Sequence, residues 1–492
     1  MITFKLNTGI NWKFVAKVIG YILVLESLFM FLAAAVAGYF SGPDLFALLL
    51  SGSITCACGL GIALPMGFKK KTNVIGKRES FLSVGLSWFF FALFGTLPFF
   101  ISGSITSFSD AFFESTSGIT TTGASILTDV ESMSKGVLFW RSTLQWLGGM
   151  GIIVFSLALL PLLGGEAAQL FDAESSGLTH DKFRPRVTQM AKRLWGIYLL
   201  LTSLLIFLLW LGPMELYDSV CHAFTTISTG GFSTKQVSIA FWDSPYTESI
   251  LLVFMIVGAI NFSLLYFLFN GQFKKFFKDE ELRWFLYIIL FASVIVGTGL
   301  LVSHNYDFIH SLRSSLFQVV SVLTTTGFST DDFSLWGPFY LLVFLFLMFV
   351  CGCAGSTSGG LKVVRAVVLA KSTLNEFKRL VHPRAIIPIR LNGSALSFGI
   401  VQRLLAFAFL YICIIFASWA ILTLVGMPFT DALSASVSSI SNVGPGFGAL
   451  GPNGSYHDIP LFAKWYLSFL MIIGRLEIFT ILILFTPGFW KR

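Results

Sequence analysis

Ten apolar stretches, each long enough to cross a bilayer, dominate this chain; they lie near 14–40, 45–68, 80–103, 137–163, 190–212, 246–270, 284–303, 338–369, 397–425 and 461–486. About 20 apolar residues in a helix span the hydrocarbon core, and lipid accepts only spanning elements whose backbone bonds close internally. The chain therefore reads as an all-α polytopic membrane protein. Only 12% of its residues are charged, against roughly 25% in soluble domains. That shortage excludes a soluble enzyme, a nucleic-acid binder and a disordered scaffold. The first stretch, from Val18 to Phe40, exceeds the roughly 7–15 residues of a signal-peptide core and lacks a cleavage site, so it reads as a retained span.

The 33 basic residues are unevenly placed. Three lie in the N-terminal arm (Lys5, Lys13, Lys17), five in 69–78, including Lys69, Lys70 and Lys71, five in 182–193, four in 274–283, seven in 362–390 and two at the C-terminus. All these linkers fall on one side if the termini share it; the other side shows little beyond Lys135, Lys235 and Arg313. The positive-inside rule makes the crowded side, with both termini, cytoplasmic. The net charge of +8 thus reports topology, and the basic segments 182–193 and 362–390 offer contacts to a cytoplasmic partner. Cys56, Cys58, Cys221, Cys351, Cys353 and Cys413 sit in or beside apolar segments, which predicts packing residues with neither disulfides nor a metal site. The six histidines have no ligand spacing, and the chain has no phosphate-binding G-x-x-x-x-G-K-[ST] loop.

Four outer-side linkers repeat one string: SDAFFESTSGITTTGAS (109–125), YDSVCHAFTTISTGGFS (217–233), RSSLFQVVSVLTTTGFS (313–329) and TDALSASVSSISNVGPG (430–446). In each, a glycine follows a helix-capping residue type by thirteen positions: Asp110 to Gly123, Asp218 to Gly231, Ser314 to Gly327, Asp431 to Gly444. The spacing predicts an N-cap at the first residue, a helix of about three turns that is too short to span, and a polar tract running outward. The unit is helix, short re-entrant helix, extended tract, helix, repeated over 80–163, 190–270, 284–380 and 396–492, with residues 1–68 forming two additional N-terminal helices. Non-helical backbone at membrane depth must be buried or line an aqueous path. Four copies can surround one axis, with the negative ends of the short helices aimed at it. The lining would be Thr121, Thr122 and Gly123; Thr229, Gly230 and Gly231; Thr325, Thr326 and Gly327; and Asn442, Val443 and Gly444. Carbonyls of such tracts can replace the hydration shell of a monovalent cation.

The eighth stretch is interrupted by Gly352, Gly355, Ser356, Thr357, Ser358, Gly359 and Gly360. Glycine costs about 1 kcal/mol per residue in a helix, so this segment predicts an irregular loop on the cytoplasmic side of the third tract, placed to block the path and to move. Arg475 lies inside the last stretch, 31 residues past Gly444, the offset at which Ser358 follows Gly327. The two should meet below the tracts, where a cation would act as a barrier to other cations. Glu477 is a poor partner for Arg475, being two residues on. Glu114, Asp129, Asp331 and Asp332 read as solvated loop acids.

With TTTGA, STGGF, TTTGF and SNVGPGFG at its four loops, the chain resembles the Trk/Ktr/HKT superfamily of potassium transporters, and the two extra N-terminal helices point to the Trk type. VHPRAIIPIRLNG (381–393) is similar to a stretch of that type. The resemblance implies potassium as the ion, bound at the tract residues that form a selectivity filter. It assigns 352–360 as the gating loop and Arg475 as the pore barrier. It further implies a homodimer in the inner membrane, no covalent cofactor, and nucleotide control only through a separate TrkA-like cytoplasmic regulatory subunit. Asn442 and Val443 match the family's asymmetric fourth filter and imply looser selectivity than a true fourfold channel.

Two other classes compete. Inverted-repeat secondary transporters fit poorly, because the four units are parallel with every short helix entering from one side; within the superfamily, a sodium- or proton-coupled symporter is the alternative. An intramembrane protease needs a nucleophile with a base in reach, and Ser356 has no histidine at its depth.

Overall fold

The computed structural model describes residues 10–66, 76–159, 183–303, 306–385 and 387–490. Lys5, Lys69, Lys70, Lys71 and Lys182, with the segment ends at 67–68 and 160–163, lie outside the described residues. The long apolar runs become helices: Trp12–Tyr39, Leu45–Ala63, Arg78–Ile101, Ala191–Trp210, Glu280–Ser303 and Phe398–Leu424 are each long and apolar enough to cross a membrane. Lys135–Leu159 is a further helix of 25 residues.

Two stretches read as continuous spans are sharply bent. Pro245–Ala259 and Phe262–Phe269 meet at 109°, and Leu461–Arg475 meets Ile478–Phe485 at 114°. The first break follows from Asn261, whose side chain accepts from the Ser263 amide and starts a new helix. At the second, Glu477 adopts φ +60°, a conformation that interrupts a right-handed helix. The interrupted eighth stretch was legible: Pro338–Val350 and Val363–Val381 flank a non-helical loop.

The four short helices are Phe108–Ile119, Leu216–Ile227, Phe308–Leu323 and Phe429–Ser441. Their N-caps are Ser107, Glu215, Asp307 and Pro428, not the residues predicted. Asp110, Asp218 and Asp431 instead occupy the first turn, where a carboxylate also favours the positive end of the helix dipole. Ser314 lies well inside a longer helix. The observed caps lie three residues before the predicted ones in the first, second and fourth units and seven before in the third.

The outer helix of one unit is joined to the short helix of the next by ion pairs, buried at Lys464 and half-exposed at Arg313. Lys464 Nζ lies 2.6 Å from Asp110, and Arg313 Nε lies 2.5 Å from Glu248. Lys464 and Glu248 each stand ten residues before a helix glycine, Gly474 and Gly258, that abuts the carbonyl of Ile440 or Ile227; they are equivalent positions carrying opposite charge. Breaking a buried pair by removing one partner costs about 3–5 kcal/mol. Lys464→Met should therefore lower the melting temperature of the purified chain, and adding Asp110→Leu should recover most of the loss; equal melting of single and double variants would refute the pairing.

The N-terminal helix pair packs at small residues: a Cβ on Gly59 would lie 2.9 Å from the Gly20 carbonyl oxygen. Asp44, just before the second helix, accepts from the Val137 amide at 2.7 Å and fixes the pair to the first unit. All six cysteines are free.

Candidate cation pathway

Each short helix ends in the same way. Thr121, Thr229, Thr325 and Asn442, two residues before the tract glycines, have φ of +53°, +54°, +61° and +55°. The next amide turns back to a helix carbonyl: Thr122 to Ser117 at 2.9 Å, Gly230 to Thr225 at 2.8 Å, Thr326 to Ser321 at 2.9 Å and Val443 to Ser438 at 3.0 Å. These are Schellman-type caps. Glycine ordinarily fills such a site, and a β-branched threonine there is a genuine backbone outlier. Three threonines hold it because their surroundings fix them, and strain of this kind gathers at functional sites.

The four glycines then adopt φ of +85°, +80°, +80° and +103° at Gly123, Gly231, Gly327 and Gly444. Each faces its neighbour's backbone. A Cβ on Gly123 would fall 2.2 Å from the Gly230 oxygen, on Gly231 1.7 Å from Thr326, on Gly327 2.5 Å from Val443, and on Gly444 2.6 Å from Thr122. Every contacted carbonyl belongs to the residue preceding the next tract's glycine, and the sequence one-two-three-four closes on itself. Only glycine fits in such a ring. All twelve tract residues of the sequence reading are brought together here, and one cavity contacts all four glycines. Thr122 Oγ1 also accepts from Asn442 Nδ2 at 2.9 Å, linking first and fourth tracts.

On the helix side of the ring lies the loop from Cys351 to Lys362. Cys351, Gly355, Gly360 and Lys362 take positive φ. Thr357 Oγ1 bonds the Ile227 and Gly258 carbonyls at 3.0 Å each, and the Thr229 hydroxyl donates to it at 3.3 Å. The Gly359 amide donates to Thr325 Oγ1 at 3.1 Å, and a Cβ on Gly359 would meet the Ser441 oxygen at 2.2 Å. Gly352, Ser356, Ser358 and Gly359 are buried with Thr357, whereas Gly355 is exposed and accepts from the Phe262 amide. The loop thus bears directly on tracts two, three and four. Glu281 holds its base, accepting from the Ala354 and Val364 amides at 2.7 and 3.1 Å.

Arg475 is buried and reaches the same loop: Nη1 donates to the Thr357 carbonyl at 2.5 Å and Nη2 to that of Gly148 at 3.0 Å. The expected meeting of Arg475 with the loop falls one residue from Ser358. Glu477 pairs instead with Arg365 at 2.9 Å. Lys362 donates to the Ser358 carbonyl, so a second cation, read from sequence only as an inside charge, stands at the loop. Its place next to the glycine run was the available signal.

The TrkH family model, described as a cation transport protein, matches residues 51–491. This chain belongs to the TrkH family. It is 38% identical to the Trk system potassium uptake protein TrkH of Escherichia coli, over 98% of this chain and 100% of that protein. The counterpart from Halomonas elongata is 36% identical, over 98% and 99% of the two chains. The crystal structure of the potassium transporter TrkH from Vibrio parahaemolyticus superposes with a TM-score of 0.89 at 37% identity, covering 98% of this chain and all of that one. The TrkH fold therefore takes in the N-terminal helix pair as well as the four units.

Within this TrkH chain the acids behave differently from expectation. Glu114 is no solvated loop acid: fully buried, it accepts from Arg141 Nε at 2.6 Å and from the Ile126 amide at 2.9 Å. Asp129 does lie in an exposed turn, accepting from the Glu131 and Ser132 amides. Asp331 and Asp332 are half-buried, and Asp332 caps the turn at Ser334. Among the described residues, no Asp or Glu lines the cavity at the four glycines.

Proposed function

We propose that this chain is the potassium-conducting subunit of a Trk-type uptake system, a selective, gated, channel-like pore. The closed ring of four tracts, each glycine set against the next tract's carbonyl, carries the reading. A neutral ring of backbone oxygens suits a dehydrated cation of one charge better than a divalent one. The names of the relatives supply potassium. Residues 121–123, 229–231, 325–327 and 442–444 form the filter that takes potassium as substrate; Gly352 to Gly360 is the gating loop, and Arg475 the barrier beneath the filter.

The basic linkers support an inner-membrane orientation with both termini cytoplasmic. We propose further that the chain works as a homodimer, with nucleotide control through a TrkA-like cytoplasmic subunit that meets the basic segments 182–193 and 362–390, and with no covalent cofactor of its own. Expression in a cell lacking potassium uptake should restore growth at low external potassium. Failure to restore growth, with the protein in the membrane and its regulatory subunit co-expressed, would count against the assignment.

A further inference from the structure

The filter is not held alike at its four seams. Gly148, Gly258 and Gly474 occupy one equivalent position, since a Cβ on each would lie 1.8, 3.2 and 2.1 Å from the carbonyl oxygens of Ile119, Ile227 and Ile440, four residues before the tract glycines. Three residues earlier, the side chains are therefore equivalent too: Gln145, Met255 and Met471. Gln145 alone of these can both donate and accept a hydrogen bond. It does both to the second tract, where Nε2 donates to the Gly230 carbonyl at 2.7 Å and Oε1 accepts from the Phe232 amide at 3.0 Å. These groups flank Gly231, and the Gly230 oxygen is the one that faces Gly123.

One helical turn away, Arg141 extends the clamp. Nη1 donates to the Ser233 carbonyl at 3.0 Å, and the guanidinium lies over the Phe232 ring at 3.5 Å. Its Nε is fixed by Glu114, which also takes the Ser125 hydroxyl at 3.0 Å on the first tract's outward continuation. The i, i+4 spacing puts both side chains on one helix face, and both are buried.

We infer that Gln145 and Arg141 are positioning residues for selectivity, fixing the second tract against the first so that the ring keeps one radius. The inference rests on the filter reading above. A looser seam admits ions of other sizes without closing the path, so discrimination falls while conduction persists.

The test uses the purified full chain in liposomes, with potassium and sodium flux measured for Gln145→Met, Arg141→Lys and Gly231→Ser. Methionine is what two sister units carry at this position, so the fold should survive. Gln145→Met is expected to lower the potassium-to-sodium flux ratio about fivefold or more, with total cation flux within about twofold of the parent. Arg141→Lys keeps the charge and loses the planar fork; a smaller drop in the same direction is expected. A merely structural role would reduce both fluxes together and leave their ratio unchanged. If Gly231→Ser loses discrimination while folded Gln145→Met keeps it, the inference falls and the filter reading stands. If neither variant changes the ratio, the filter reading itself fails. Should Gln145→Met not fold, an unchanged ratio in Arg141→Lys overturns the proposal.

Discussion

Gly231→Ser should collapse the discrimination of potassium from sodium. A Cβ at this position would lie 1.7 Å from the Thr326 carbonyl oxygen, the shortest of the four ring contacts, at a backbone φ of +80° that side chains rarely adopt. Neither partner can yield by rotating a side chain, because the oxygen is backbone and the backbone fixes the position of Cβ. The third tract must move outward or the second must rebuild its φ, and either change alters the spacing of the ring. Discrimination is a difference of energies, and a shift of about 1.4 kcal/mol costs a factor of ten. A drop of at least about tenfold in the potassium-to-sodium ratio is therefore expected. Gly444→Ser should act in the same direction but less strongly, given its contact of 2.6 Å. Bi-ionic flux on folded protein checks both, and a parental ratio in Gly231→Ser would remove the filter assignment.

Neutralising Arg475 should raise flux. Its two hydrogen bonds hold the loop carbonyl of Thr357 and the helix carbonyl of Gly148, joining the fourth unit to the third and first beneath the ring. Removing the side chain releases that joint and deletes a fixed positive charge. At an effective dielectric of about 20, a cation roughly 8 Å away raises an ion's energy by about 2 kcal/mol, or about thirtyfold in rate. Arg475→Ala should thus increase potassium flux by about ten- to thirtyfold. Arg475→Lys should recover most of the barrier, since it keeps the charge. Shortening 352–360 should also open the path, with Arg475 retained but its Thr357 acceptor removed. A flux unchanged by all three variants would show that neither loop nor arginine gates.

The repeat was legible because the same small-residue tract, ending in a glycine of positive φ, is written four times. The broken eighth stretch was legible because seven Gly, Ser and Thr residues crowd positions 352–360. The bends in the sixth and tenth stretches were not, since each depends on a single residue, Asn261 or Glu477, inside otherwise apolar sequence. Asn261 was the readable signal, a polar cap within GAINFS. The roles of Glu114, Arg141 and Lys464 lie beyond sequence, because their ion-pair partners are 27 to 354 residues away. Burial decides whether a loop acid is solvated or paired, and spacing along the chain carries no information on it.

We propose that four neutral tracts make one potassium-selective ring that the membrane potential alone can drive. Potassium and sodium influx into liposomes holding only the purified Arg475→Ala chain tests it most directly, with a membrane potential imposed and no proton or sodium gradient. Potassium is expected to enter well ahead of sodium under the potential alone. Equal entry of the two ions, or potassium entry only when a proton or sodium gradient is added, would contradict it.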